Sequence, residues 1–185
     1  MLRVSDKCGE SMENIEVILV DEHDNPLGKM EKLEAHRQGR LHRAITVYIF
    51  NAKQQLMLQQ RALSKYHCGG LWSNTCCGHP FPNESTQQAA ERRLDEEMGL
   101  KVSLNKVTQT YYNLPVTDGL VEHEFGHIFT GYTDQLPVLN PQEAESFRFA
   151  SLSEIEQELI SSPEQFTPWF RKTFPMLAEH LRAGD

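Results

Sequence analysis

Apolar residues gather in short runs separated by turn formers, and the spacing inside the runs alternates between strand and helix periods. Ile15 to Val20 and Ala44 to Phe50 are unbroken enough to predict buried strands. Asp24-Asn25-Pro26-Leu27-Gly28 predicts a turn between them, and Asn51 to Gln54 the next turn. Gln55 to Gln60 alternates leucine and methionine with polar residues, which predicts a hairpin partner for the strand before it. The stretch from Arg61 to Gly78 is rich in turn formers and aromatic residues. Glu84-Ser85 then opens a helix whose apolar face is Ala89, Ala90 and Leu94, and which runs to Met98 with Gly99 as its stop. Val107 to Tyr112, Val121 to Tyr132 and Phe147 to Ala150 predict strands. Leu152 to Ile160 predicts a helix opened by Ser151 or Ser153, and Pro168 to Leu181 a final amphipathic helix. Interleaved in this way, the elements predict an α/β (α+β) fold, a mixed β-sheet covered by helices.

Composition narrows the picture. A chain of 185 residues with 39% apolar content can bury one sizeable core, and no repeat or linker divides it. One domain is expected over residues 15–185, preceded by a flexible N-terminus, residues 1–14, that mixes charges with small residues. Acidic residues outnumber basic ones, 26 to 18, so no broad positive surface is available for nucleic acid. A polyanionic ligand would need a local cluster of basic side chains or metal ions. The apolar runs fall far short of the ~20 residues that cross a bilayer. The N-terminus also lacks the apolar stretch and cleavage site of a signal peptide, so a soluble, cytoplasmic protein with no membrane partner is expected. Cys8, Cys68, Cys76 and Cys77 form no C-x-x-C pair, and reduced thiols are expected.

From Gly78 the chain reads Gly, five residues, Glu84, seven residues, then Arg92-Arg93-Leu94-Asp95-Glu96-Glu97-Met98-Gly99-Leu100. This resembles the Nudix signature, a loop-helix-loop whose helix aims carboxylates at divalent metals on a diphosphate. Glu97 fits the ligand role. A lone Glu-Glu pair would read as a solvated helix face, but the glycines and spacing set this one apart. The match departs at Arg93, where Nudix hydrolases carry glutamate. A guanidinium there binds phosphate oxygens through its planar fork, so the site suits holding a diphosphate rather than cleaving it.

Just upstream, Leu71-Trp72-Ser73-Asn74-Thr75-Cys76-Cys77-Gly78-His79-Pro80 looks like the active-site segment of the type 1 isopentenyl-diphosphate isomerases. The resemblance makes Cys77 catalytic and leaves Cys76 as a packing residue. Glu122 and Glu124, two apart in Val121-Glu122-His123-Glu124, share one strand face, and adjacent carboxylates repel unless a cation or proton sits between them. His123 and His127 then point to the opposite face and read as structural or surface histidines. The resemblance adds His36, His42 and His79, giving three histidines and two glutamates. Such nitrogen and oxygen ligands suit Zn2+, Mn2+ or Mg2+, with a position left for water or substrate. It also implies a diphosphate site of Lys32, Arg61, Lys65 and Arg93, with Mg2+ on Glu97 and the main-chain carbonyl of Cys77.

The resemblance runs from about Ile15 to Trp169, with the motifs in the family's order. It implies that isopentenyl diphosphate becomes dimethylallyl diphosphate, a step of isoprenoid biosynthesis. Glu124 would be the acid side, Tyr112 a proton relay, the Cys77 thiolate the base, and Trp169 the π-face that stabilises a carbocation; otherwise Trp169 is a core aromatic. Two rivals are a Nudix hydrolase of nucleotide diphosphates, which Arg93 opposes, and a non-catalytic metal module. Structural zinc sites usually have four clustered Cys or His ligands rather than two glutamates and a spare thiol.

Overall fold

Every residue from Ala44 to Phe50 is buried, and the strand that contains them is the axis of the fold. The computed structural model describes residues 15–183, so the flexible N-terminus expected over residues 1–14 lies outside the described residues. In chain order the strands are β1 (Glu16–Val20), β2 (Pro26–Glu31), β3 (His42–Phe50), β4 (Leu56–Arg61), β5 (Trp72–Ser73), β6 (Cys76–Gly78), β7 (Asn105–Pro115), β8 (Val121–Tyr132) and β9 (Ala144–Ala150). The helices are α1 (Lys32–Arg37), α2 (Thr86–Met98), α3 (Leu152–Ser161) and α4 (Pro168–Ala183).

Successive side chains of a strand point to opposite faces, and β3 divides its apolar residues accordingly. Ile45, Val47 and Ile49 join Ala89, Ala90, Leu94 and Met98 of α2 in one core. Tyr48 and Phe50 join Trp169, Phe170, Phe174 and Leu177 of α4 in another. Helices thus cover both faces of the sheet, as expected. β3 runs parallel to β8 along its whole length, from His42 beside Glu124 to Phe50 beside Tyr132. The other pairings among the named strands are antiparallel, including β6 on the other flank of β3, with Cys77 opposite Thr46.

Several expectations are corrected. Leu56, Met57 and Leu58 are all buried, so β4 is covered on both faces rather than alternating. It pairs antiparallel with β3 at Phe50–Leu56, across the expected turn, but most of its length runs beside β9, from Leu56–Ala150 to Arg61–Ala144. The first turn closes earlier, with Asp21 N donating to Asn25 O at 3.0 Å, and Pro26-Leu27-Gly28 begin β2. Helix α1 is too short to leave a period in the sequence; the Glu31 carboxylate caps it, accepting from the amides of Leu33 and Glu34 at 2.8 and 2.7 Å. The turn-rich stretch holds β5 and β6, and β7 and β9 extend beyond the apolar runs that announced them. Helix α2 begins as read: Ser85 caps it in a reciprocal box with Gln88. It ends at Gly99, with φ +62° and Val138 O 2.8 Å from where a Cβ would stand, a position only glycine fills without strain. Ser151, with Glu154, caps α3.

Candidate active site

Four segments converge on a cluster of metal-ligating groups. Helix α1 supplies His36, the first residue of β3 supplies His42, the turn after β6 supplies His79, and β8 supplies Glu122 and Glu124. Their ligand atoms all lie within 4.8 Å of one another. His36 Nδ1 stands 2.7 Å from Lys32 O and His42 Nδ1 2.8 Å from Arg40 O, so each Nδ1 donates to a carbonyl, and in the neutral ring the lone pair is then on Nε2. His42 Nε2 is 3.2 Å from His79 Nε2, which is 2.9 Å from Glu124 Oε1. His36 Nε2 is buried and makes no hydrogen bond, although Glu122 Oε2 lies 3.3 Å away. Lone pairs and carboxylates turned upon one another are what a cation would satisfy, and the donor set fits a divalent metal.

The electrostatics reflect this crowding. Burial, reinforced by Lys32, holds His79 well below the ordinary histidine range. Burial also opposes charge on His36, but Glu122 raises its pKa overall. Burial works to raise Glu124, yet the contacts from His42 and its other partners bring it down to about 2.

A cavity of about 320 Å³ is lined by His36, His79, Glu122 and Glu124 and by the four basic residues expected at a diphosphate, Lys32, Arg61, Lys65 and Arg93. Burial, then the charges of Lys65 and Arg93, lower Lys32 to about 8. The Arg61 guanidinium lies 5.0 Å from the centre of the Trp169 ring. Lys65 Nζ pairs with Glu143 at 2.6 Å, and Arg93 pairs with Glu96, Glu97 and Glu143 at 2.6, 2.5 and 3.3 Å. A Cβ on Gly78 would stand 2.6 Å from Arg93 Cγ; only bare backbone lets this side chain cross, and its Nε donates to the Cys77 carbonyl at 3.4 Å. Arg93 therefore bridges both groups expected to hold magnesium.

Cys77, Tyr112 and Trp169 line the same cavity. The Cys77 thiol donates to Asn74 Oδ1 at 3.1 Å, and burial, with the charge of Glu97 adding, pushes it up to about 12. This burial opposes the thiolate form expected from sequence. Tyr112 sits opposite Glu124 in the β7–β8 register, and its hydroxyl donates to Glu124 Oε2. Burial, then Glu124, raise the phenol well above its usual range. Trp169 is both core aromatic and cavity wall, its Nε1 donating to Ser73 Oγ at 3.0 Å. Cys76 packs in the α2 core, and the described cysteines Cys68, Cys76 and Cys77 are free thiols. His123 bonds Gly39 O and Tyr111, His127 faces Asp24 at 3.0 Å, and both stay outside the cluster.

Three residues at the site went unread in the sequence. Gln59 donates to Glu97 Oε2 at 2.7 Å and to Thr75 O at 3.2 Å. His67 Nε2 stands 2.7 Å from Glu122 Oε1, and Glu143 joins Lys65 to Arg93. A polar residue closing a buried run could have flagged Gln59, and His67 lies two residues beyond Lys65; nothing local announces Glu143.

Residues 40–170 match the NUDIX domain family, which sets the class. Two solved structures share the fold: DR0079 from Deinococcus radiodurans, with a TM-score of 0.74 and 18% identity over 87% of this chain and 98% of that one; and the MutT protein from Methanosarcina mazei Go1, at 0.63 and 21% over 78% and 96%. The isopentenyl-diphosphate Delta-isomerase of Pectobacterium atrosepticum is 56% identical over 91% of this chain and 94% of its own. The isopentenyl-diphosphate Delta-isomerase 2 of Aromatoleum aromaticum is 50% identical over 83% and 82%. The chain belongs to the isopentenyl-diphosphate Delta-isomerase family of NUDIX-domain proteins. Among the described residues no helix is long and apolar enough to cross a membrane.

Proposed function

We infer that this enzyme isomerises isopentenyl diphosphate to dimethylallyl diphosphate in the cytoplasm, and that the residues brought together around one cavity perform the reaction. The observation that carries the reading is the joining, in that cavity, of four basic side chains to a thiol and a carboxylate–phenol pair presented from the two flanks of β3. Lys32, Arg61, Lys65 and Arg93 bind the diphosphate. Arg93, where a hydrolase carries glutamate, makes the signature helix an anchor.

His36, His42, His79, Glu122 and Glu124 would hold a Zn2+, Mn2+ or Mg2+ ion, and Glu97 with the Cys77 carbonyl a Mg2+ ion that accompanies the diphosphate. Such ions supply positive charge that offsets the carboxylates and the diphosphate. Glu124, linked to Tyr112, gives a proton to the terminal carbon of the alkene. Cys77 removes one from the carbon nearer the diphosphate. Between the two transfers a tertiary carbocation forms, and the π-face of Trp169 stabilises it by about 1–2 kcal/mol.

That division of labour needs the proton on the carboxylate–phenol side and none on sulfur. Burial, with the charge of Glu97 adding, raises the Cys77 thiol to about 12, while the contacts of Glu124 bring its carboxyl down to about 2, which favours a second reading with Cys77 as donor and Glu124 as acceptor. Metal-loaded Glu124→Gln and Cys77→Ala, incubated with isopentenyl diphosphate in heavy water, separate the two. On the first reading Glu124→Gln takes up no deuterium at the terminal carbon, whereas Cys77→Ala still exchanges there without forming product. The opposite pattern supports the second. Removal of a catalytic acid or base costs on the order of a hundredfold or more, so turnover by either variant within tenfold of wild type excludes that residue.

A further inference from the structure

Glu122 has two carboxylate oxygens, and they face different histidines. Oε2 turns towards His36 inside the cluster, while Oε1 lies 2.7 Å from Nε2 of His67, which is not one of the five clustered residues. At that separation the two atoms attract each other when the ring nitrogen carries a proton. His67 is 6% exposed, in the segment between β4 and β5, and its Nδ1 is buried with no hydrogen-bond partner. Leaving a ring nitrogen unsatisfied costs free energy that an apolar residue would avoid. The polarity of His67 is therefore used on Glu122. The same ring meets Trp169 edge-on, with centroids 5.5 Å apart.

We propose that His67 is a positioning residue for the metal site: its Nε2–H holds Glu122 Oε1 so that Oε2 stays turned into the cluster, and its ring joins that carboxylate to the Trp169 wall. The inference deepens the reading given above and rests on it only in taking the cluster to bind metal. Hydrogen-bond partners of metal ligands set the ligands' orientation, and losing one costs about 10–100-fold in metal affinity.

The test is Zn2+ affinity, measured on the metal-free protein by competition with a chelating indicator, so it does not depend on turnover. His67→Ala should weaken binding by about 10–100-fold. His67→Phe keeps the ring against Trp169 but has no donor, and should be as weak. His67→Gln carries an amide Nε2–H at similar reach and should recover affinity to within about threefold of wild type. Equal affinity in His67→Ala and wild type overturns the proposal, and so does rescue by Phe but not by Gln, which would make the role one of packing. Phe and Gln both fill the site, so poor folding of the alanine variant leaves the comparison intact. Wild-type protein that fails to bind Zn2+ removes the metal site itself, a result distinct from any difference among the variants.

Discussion

Arg93→Gln should lower stability in a way that magnesium reverses. The guanidinium pairs with Glu97, Glu96 and Glu143, and its Nε reaches the Cys77 carbonyl. Breaking a buried pair by removing one partner costs about 3–5 kcal/mol, because a charge is left uncompensated. Only Glu97 is deeply buried, and it keeps its hydrogen bond from Gln59, while Glu143 keeps Lys65 and the Glu96 side chain is 41% exposed. A discounted loss of about 2–3 kcal/mol follows. At 2–4 °C per kcal/mol for a chain of this size, Tm should fall by about 4–12 °C in the presence of chelator. With the guanidinium gone, Glu97 and the Cys77 carbonyl face each other across an unneutralised charge, the pair expected to bind magnesium. Mg2+ at a hundred times its Kd would return about 2.7 kcal/mol, most of the loss. The wild type, whose Arg93 bridges the same pair, should gain less. Thermal melts by circular dichroism with and without Mg2+, and calorimetric titration with inorganic diphosphate, read both effects; diphosphate should bind at least about tenfold more weakly, as for one lost charge-assisted hydrogen bond. A Tm within about 2 °C of wild type in chelator, or equal Mg2+ shifts in the two proteins, would refute the reasoning.

Two further outcomes are expected. Lys32, lowered to about 8, loses its proton in the free enzyme as pH rises through that value, so on metal-loaded protein the Kd for inorganic diphosphate should be flat below about 8 and rise above it. Lys32→Arg stays charged and should flatten the rise; a wild-type Kd unchanged up to pH ~9.5, past the lowered value and short of the ordinary lysine value, would remove Lys32 from the anion site. His79→Ala should lower the bound metal stoichiometry, since it removes a direct ligand, whereas His123→Ala, outside the cluster, should keep it; elemental analysis giving a full complement in His79→Ala sinks the assignment.

What could be read from the sequence was what short-range spacing encodes. Ser85 and Gly99 bound α2 because capping chemistry is local, and Glu122 and Glu124 share a face because a strand repeats every two residues. What could not be read depends on which strands meet. Phe50 and Leu56 look like a hairpin, yet β3 spends its length beside β8, some eighty residues on, and that register is what sets His42 against Glu124. His36 sits on a helix too short to show a period, and its place in the cluster came only through family resemblance. Glu143, Gln59 and His67 acquire meaning from the side chains they touch, which are distant in sequence. Arg93 shows both limits at once. The signature alone marks it as the departure that replaces a hydrolase's carboxylate with a cation, but only the fold reveals that this cation lies on Glu97 and the Cys77 carbonyl, the two groups a magnesium would need. On the proposed reading anchor and metal site would overlap in Arg93; if diphosphate draws this guanidinium off Glu97 and the Cys77 carbonyl, those two groups are freed for the ion, and substrate and magnesium should bind with positive coupling.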